Sequence, residues 1–288
     1  MARHIMLNGE FILSDKPCLK YNNRGLRWGD TFSVQLRGNS CFVYDFDQYF
    51  DCIKQMTKML EMENNEFRPK TLANDIYLLL QKNRIYKEFA VTITIFRNSN
   101  DNNKLASDNS FSTLLSAESL PHEFYSINAK GLFTDILNIP QIATTSIPDF
   151  PVELLCGKLM SENNLDDLII TDEKGFLKRS LYSNIFFTKG NSLIYASLHD
   201  NISPNKVFAS RISYLANKKL GMDIYESTFD LQKLNDIDGM FLADPINGIR
   251  WVVGLGRKRF FKAKADEIAY EVYNYYKTEI ERLKKSRM

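Results

Sequence analysis

Histidine and paired cysteine are what this chain of 288 residues most lacks: it has three histidines and four cysteines, Cys18, Cys41, Cys52 and Cys156, with no CxxC spacing among them. That scarcity argues against a zinc site and against a disulfide framework, so the cysteines are expected to be reduced thiols, mostly buried. Long apolar runs are also absent. No stretch approaches the roughly 18 apolar residues that a membrane-spanning helix needs, and the opening MARHIMLNGEFILSD is too polar for a signal peptide, so a cytoplasmic chain without a membrane partner is expected. Charge of one sign is missing too, since 37 basic and 35 acidic side chains leave a net charge of +2. The basic cluster Lys284, Lys285 and Arg287 reads as a solvated helix end, and nucleic acid is not an expected partner.

What is present is an alternation of strand and helix periods. Residues 5–45 alternate apolar and polar positions around turn signals, as in Phe32-Ser33-Val34-Gln35-Leu36-Arg37-Gly38. From Asp47 the apolar positions Phe50, Ile53, Met56, Met59 and Leu60 recur at helical intervals, and Leu72 to Leu80 repeats that reading. Phe89 to Phe96 is a β-branched central strand, Asn98 to Asn109 a polar surface loop, and Phe111 to Ala117 a further strand. Three prolines and few charges between Leu137 and Pro151 suggest an interdomain connection. A helix near Val152 to Glu162 follows, then strands at Asp167–Thr171, Ile185–Thr188 and Ser192–Ala196 and a helix Lys206–Leu220 ended by Gly221. Strands at Met240–Ala243 and Arg250–Val253 and a closing amphipathic helix Asp266–Lys285 complete the pattern. The expected division is an N-terminal α/β domain over 1–120, a connection over 121–150 and a C-terminal α/β domain over 151–288.

Several of these segments carry motifs as well as periods. Asn23-Arg24-Gly25-Leu26-Arg27-Trp28-Gly29-Asp30 follows the strand Leu7-Asn8-Gly9-Glu10-Phe11; Asp166-Asp167-Leu168-Ile169-Ile170 precedes Lys174-Gly175 and Ser183-Asn184-Ile185-Phe186-Phe187; and Asp238 to Val252 reads DGMFLADPINGIRWV. In this order the chain resembles the class IV aminotransferase family, which includes branched-chain and D-amino-acid aminotransferases and aminodeoxychorismate lyase. The resemblance implies a mixed α/β, two-domain fold of type IV, similar to D-amino-acid aminotransferase, a homodimer, and pyridoxal phosphate between the domains. That cofactor asks for a lysine, a partner for the ring nitrogen, and cations or helix-end amides for its phosphate.

The expected positions depart from that pattern. About twenty residues before Asp166-Asp167, where the family's lysine falls, the chain has Thr144-Thr145-Ser146; Lys130 and Lys158 are more than ten positions away, and Lys158 is expected to face solvent from a helix. Arg179 stands five residues before Asn184, where the family's ring-nitrogen glutamate would be, and it disfavours a protonated pyridine. Gln48 and Asp51 match the His and Arg of the family's H-x-x-R helix motif, and a carboxylate there would repel phosphate. Asn201-Ile202-Ser203-Pro204-Asn205 replaces the glycine-bounded approach to the phosphate-binding helix, with Lys206 next, and Ala243-Asp244 replaces a Thr-Asn pair whose threonine touches the phosphate.

These departures lead to the expectation of a protein that does not use pyridoxal phosphate: a cofactor-independent enzyme on a small anionic carboxylate metabolite, or a pseudoenzyme. The alternatives are a pyridoxal-phosphate-dependent aminotransferase or aminodeoxychorismate-type lyase with displaced catalytic residues, and a non-catalytic dimeric scaffold. Asp51, Asp244 and Ser146 are the candidates for catalysis; Arg37, Lys178, Arg179, Asn205, Lys206 and Arg250 are the candidates for binding a small anion. No metal is expected. His199 in a loop is read as solvated, and the tyrosines Tyr270, Tyr273, Tyr275 and Tyr276 as a packed helix face.

Overall fold

A computed structural model describes residues 3–98, 108–121, 125, 129–138, 150–171, 176–196 and 203–285. The chain forms two compact units, Met1–Phe124 with Leu283–Met288, and Tyr125–Arg282.

The first unit contains β1 (His4–Leu7), β2 (Glu10–Leu13), α1 (Arg24–Trp28), β3 (Thr31–Asn39), β4 (Phe42–Val43), α2 (Phe46–Met59), α3 (Pro69–Lys82), β5 (Glu88–Arg97) and β6 (Phe111–Ser119). Its strands form one sheet in the order β2-β1-β6-β5-β3-β4, with the neighbours antiparallel. β5 is central because both of its faces are apolar: Phe89, Ala90, Val91, Ile93, Ile95 and Phe96 are all buried. α3 begins with Pro69, whose missing N–H costs nothing at a first helical position, and lays Leu72, Ile76, Leu79 and Leu80 against β1 and β6. Gly38 lets β4 and Phe89 close on the backbone, since a Cβ there would overlap the Phe42 carbonyl and the Phe89 ring.

The second unit contains β7 (Leu132–Asn138), α4 (Phe150–Asn163), β8 (Asp167–Thr171), β9 (Phe176–Ser180), β10 (Asn184–Lys189), β11 (Ser192–Ala196), α5 (Pro204–Leu220) and β12 (Asp223–Ser227). β13 (Phe229–Asp230), a 3-10 turn (Leu231–Asp236), β14 (Gly239–Asp244), β15 (Gly248–Leu255), β16 (Lys258–Arg259) and α6 (Ala263–Lys285) follow. The strands run in the order β12-β11-β10-β14-β15-β7-β8-β9-β13, with β16 beside β15. Parallel pairing of β11 with β12, and of β7 with both β15 and β8, mixes with antiparallel hairpins. Ile169, Leu177, Ile185, Phe187, Met240, Leu242 and Val252 fill the core between these strands. α5 packs across β10, β11, β12 and β14 and ends at Gly221 in the left-handed region, with φ 64°.

The expected connection over 121–150 is corrected in its middle. β7 lies there and is an interior strand, hydrogen-bonded on both sides. Its LFTDILN sequence carries an aspartate and an asparagine that mask the strand period. β9 and β12 were also not expected: FLKRS has adjacent charges, and DIYES is almost wholly at the surface. Residues 139–149, which include Ser146, and residues 197–202, which include His199, lie outside the described residues.

The turn between β14 and β15 is closed by its own side chains. Asp244 Oδ1 accepts hydrogen bonds from Ile246 N at 3.0 Å and Asn247 N at 2.7 Å, and Tyr125 Oη donates to Pro245 O at 2.8 Å. Gly248 completes the turn at φ +75°, where a Cβ would meet the Tyr125 ring at 2.5 Å. Gly248→Ala should therefore destabilise the protein by about 2 kcal/mol or more, combining positive-φ strain with overlap against a packed ring. Urea unfolding followed by circular dichroism measures it, and a midpoint equal to wild type would contradict the account.

Candidate functional site

The carboxyl end of β14, the start of β15 and the facing ends of β8, β9 and β10 bring polar side chains together in an otherwise apolar unit. Arg250 on β15 donates from Nη2 to Ser183 Oγ at 3.0 Å and to Asp244 Oδ2 at 3.2 Å. The same nitrogen lies 3.8 Å from Asp167 Oδ2. Ser183 Oγ also donates to Asp244 Oδ2 at 3.2 Å, and Asn247 Nδ2 donates to both Asp244 oxygens. Asp167, at the head of β8 and fully buried, accepts from Leu168 N at 2.8 Å, Leu181 N at 3.1 Å and Ser180 Oγ at 3.2 Å. One guanidinium thus serves two buried carboxylates. Its Nε is buried with no hydrogen-bond partner among the described residues.

One residue further along β10, Asn184 links this cluster to a helix end. Its Nδ2 donates to Asn205 O at 2.8 Å and to Ala243 O at 3.2 Å, and its Oδ1 accepts from Tyr195 Oη at 3.0 Å. The first turn of α5 is thereby fixed beside the end of β14. Ser203 is the N-cap of α5, with extended backbone, and its side chain makes no capping hydrogen bond. Pro204 has no N–H and Lys206 N is taken up by Ser203 O at 3.0 Å, so what this 17-residue helix presents to an anion is chiefly the positive end of its dipole, with the Ser203 hydroxyl beside it.

The candidate residues named from sequence divide sharply. Asn205, Asp244 and Arg250 belong to this assembly. Asp244 is not disposed as a base, because both of its oxygens are consumed by the β14–β15 turn, Ser183 and Arg250. Asn205 contributes its backbone carbonyl. Lys206 is paired with Glu226 at 2.9 Å. In the first unit, Arg37 is buried and donates from Nε to Glu88 Oε1 at 2.6 Å, in a network where Asn39 Nδ2 and Tyr44 Oη also donate to Glu88. Arg37 is therefore a structural cation there. Asp51 stands on the exposed face of α2, directed away from the core of the first unit, while Tyr49, Phe50, Cys52 and Ile53 are buried. Burial pushes the Cys52 thiol up to about 11, which removes it as a nucleophile. Lys158 is 72% exposed and pairs with Glu162, as its helical position implied. The side chains of Lys178 and Arg179 and the whole of Ser146 lie outside the described residues. No group that could hold a metal occurs among the described residues.

Asp167, Ser180 and Ser183 were missed as site residues. A signal existed for Asp167: it heads DLIIT, a strand in which every residue is buried, and a charge there must be paired or protonated. The serines carry no such mark.

The matched family is amino-transferase class IV, whose model covers residues 30–254. The chain belongs to the class IV aminotransferase family. Solved structures of this fold include a branched-chain aminotransferase from Thermoproteus uzoniensis with norvaline, at TM-score 0.82 and 12% identity over 96% of this chain and 95% of that one. A branched-chain aminotransferase from Thermobaculum terrenum in its PLP-form gives TM-score 0.78 and 14% identity over 96% and 93%. A putative 4-amino-4-deoxychorismate lyase from Legionella pneumophila gives 0.79 and 14% over 91% and 97%. No curated protein sequence matches the chain. These likenesses establish the two-domain type IV fold expected from the motifs. They also correct the expectation of a cofactor-free protein: a relative sharing nearly the full length of this fold is a PLP-form enzyme, so pyridoxal phosphate is the cofactor to which the family points. The substituted motif positions misled because each was weighed for its side chain alone. The helix-end frame rests on Asn184, which is present here and holds the first turn of α5. Asp244 does not oppose a phosphate as an open carboxylate would, since Arg250 neutralises it. The α5 end of this unit is compatible with a phosphate group.

Burial pushes the Asp167 carboxyl up to about 6, against the lowering effect of Arg250 and of the hydrogen bonds it accepts. The folded state therefore holds a proton that the unfolded chain, titrating near 3.9, has already released. The contribution of this group to stability is full below about pH 4 and declines as pH rises through 6, by about 3 kcal/mol in all. Chemical denaturation at stepped pH values should show that decline between about pH 4 and 6.5, with no further change above it, relative to an Asp167→Asn variant, whose amide does not titrate. A constant difference between the two proteins across that range would refute it.

Glu88→Ala should cost about 3–5 kcal/mol, because it strands a buried guanidinium, while Glu88→Gln should cost less. Thermal unfolding of both variants decides the order.

Proposed function

We propose that this chain is a pyridoxal-phosphate-dependent class IV enzyme acting on an amino-bearing carboxylate, of the aminotransferase or aminodeoxychorismate-lyase type, with its lysine supplied from a position other than the one the family motif reserves. The observation that carries the reading is the α5 N-terminus, the positive end of a 17-residue helix, pinned by Asn184 against the end of β14, in a family whose solved relatives include a PLP-form enzyme. The positive end of the α5 dipole and the Ser203 hydroxyl would hold the phosphate, and Asn184 would keep that end rigid. Bound there, the cofactor supplies an electron sink for a substrate carbanion. Arg250 keeps the adjacent Asp244 charge from opposing the phosphate.

The working form on this reading is a cytoplasmic homodimer. Tyr21, Leu26 and Trp28 in the first unit are exposed at 84%, 66% and 40%, a surface suited to burial against a second copy. No helix among the described residues is long and apolar enough to cross a membrane.

The test is reduction with borohydride after incubation with pyridoxal phosphate, followed by peptide mass spectrometry. The expected result is a single lysine carrying the reduced cofactor, and a shift of the cofactor absorbance when an amino donor is added. A protein that acquires neither chromophore nor adduct overturns the proposal.

A further inference from the structure

The hydrogen-bond arithmetic around Asp167 does not close for a carboxylate. Asp167 Oδ1 is served by Leu168 N and Leu181 N. Oδ2 has two prospective donors, Ser180 Oγ at 3.2 Å and Arg250 Nη2 at 3.8 Å. The second is beyond hydrogen-bond reach. The first has one proton and two acceptors, Asp167 Oδ2 at 3.2 Å and Ser183 O at 3.0 Å, while its oxygen already accepts from Ser183 N at 2.6 Å. With the serine proton on the nearer Ser183 carbonyl, an ionised Oδ2 in a fully buried site has no donor. A proton on Oδ2 resolves this without moving an atom: Asp167 donates to Ser180 Oγ, and Ser180 donates to Ser183 O.

We propose that Asp167 is a positioning residue whose proton keeps Arg250 with Asp244 and Ser183, and so holds the α5 N-terminus in its anion-binding place. When Asp167 ionises, its proton leaves to water and Oδ2 becomes the acceptor for Arg250 Nη2. The guanidinium then shifts off Ser183 and Asp244. Ser183 directly precedes Asn184, whose amide fixes Asn205 and Ala243, so loosening passes to the helix end in one residue. The added charge also repels an anion there, in the same direction. Among the described side chains, the charged groups facing Asp167 are Arg250 from β15 and Asp244 from β14; β9 and β10 present Ser180 and Ser183, and β7 presents Thr134 in register. The inference rests on the phosphate site proposed above for its binding consequence, while the location of the proton stands by itself.

The experiment compares full-length wild type with Asp167→Asn and Ser180→Ala. Affinity for pyridoxal phosphate is titrated from about pH 5 to 8, and the ratio of wild-type to Asp167→Asn affinity is read at each pH so that the ligand phosphate's own titration near 6 cancels. That ratio should fall about tenfold as Asp167 ionises, a coupling of ordinary size. A ratio independent of pH overturns the positioning role. Infrared difference spectra, without ligand, should show a protonated carboxyl band at low pH that vanishes as pH rises and is absent from Asp167→Asn. Ser180→Ala gives the sign test: losing an acceptor for the Asp167 proton should move the midpoint of that band down, whereas losing a donor to a carboxylate would move it up. An upward shift or no band overturns the inference even if Asp167→Asn fails to fold. Failure of all three proteins to bind pyridoxal phosphate at any pH refutes the binding consequence and the proposed function together, with the infrared result still deciding the proton.

Discussion

A guanidinium removed from water must be matched by charge and hydrogen bonds, and in the second unit that demand organises the ends of five strands. Arg250 reaches Asp244 on β14, Ser183 at the start of β10 and the neighbourhood of Asp167 on β8, and Asp167 in turn fastens the end of β9 through Ser180 and Leu181. The strands would pair without it, since their apolar faces supply the main driving force. What it supplies is alignment of the strand ends, and the helix-end site beside Asn184 is built on that alignment. Opposed buried charges of this kind are costly to assemble and more costly to break singly, which favours one arrangement over loose alternatives.

The first unit solves a similar problem in a different way. Glu88 is wholly buried and is satisfied by Arg37 and Asn39 of β3 and by Tyr44, which directly follows β4. Asp30 is bridged by Arg24 and Arg97 at 3.0 and 2.9 Å, tying α1 to the end of β5. These pairs fix the ends of antiparallel strands whose registers are otherwise set by side-chain alternation. In both units, then, cations that look from sequence like ligand contacts are occupied by the fold.

Elements with a strong period were legible in sequence. β5, with its β-branched run, and α3, with apolar residues at Leu72, Ile76, Leu79 and Leu80, follow directly from spacing. β7, β9 and β12 were not, because a buried strand interrupted by Asp135 or crowded by Lys178 and Arg179 has no clean period, and an edge strand has little to bury. The site was legible in its frame and not in its wiring. Motif order located Asn184 and Ala243-Asp244, but sequence cannot show that Asp244 turns inward to Ile246 and Asn247, or that Asp51 falls on the outer phase of α2 while Cys52 falls inside. Reading Asp244 as an acid open for catalysis treated sequence position as side-chain direction. Helix phase and turn geometry decide direction.

The β14–β15 turn carries a consequence for substitution. Placing the family's Thr-Asn pair at Ala243-Asp244 would remove the carboxylate that neutralises Arg250 and leave that partly buried cation with Asp167, at 3.8 Å, as its nearest carboxylate. Replacing Arg250 first would leave Asp244 and Asp167 without a cation among the described residues. Each single substitution leaves a charge poorly balanced, so the acid and the arginine behave as one unit. Exchanging one for something else therefore asks for a matched change in the other.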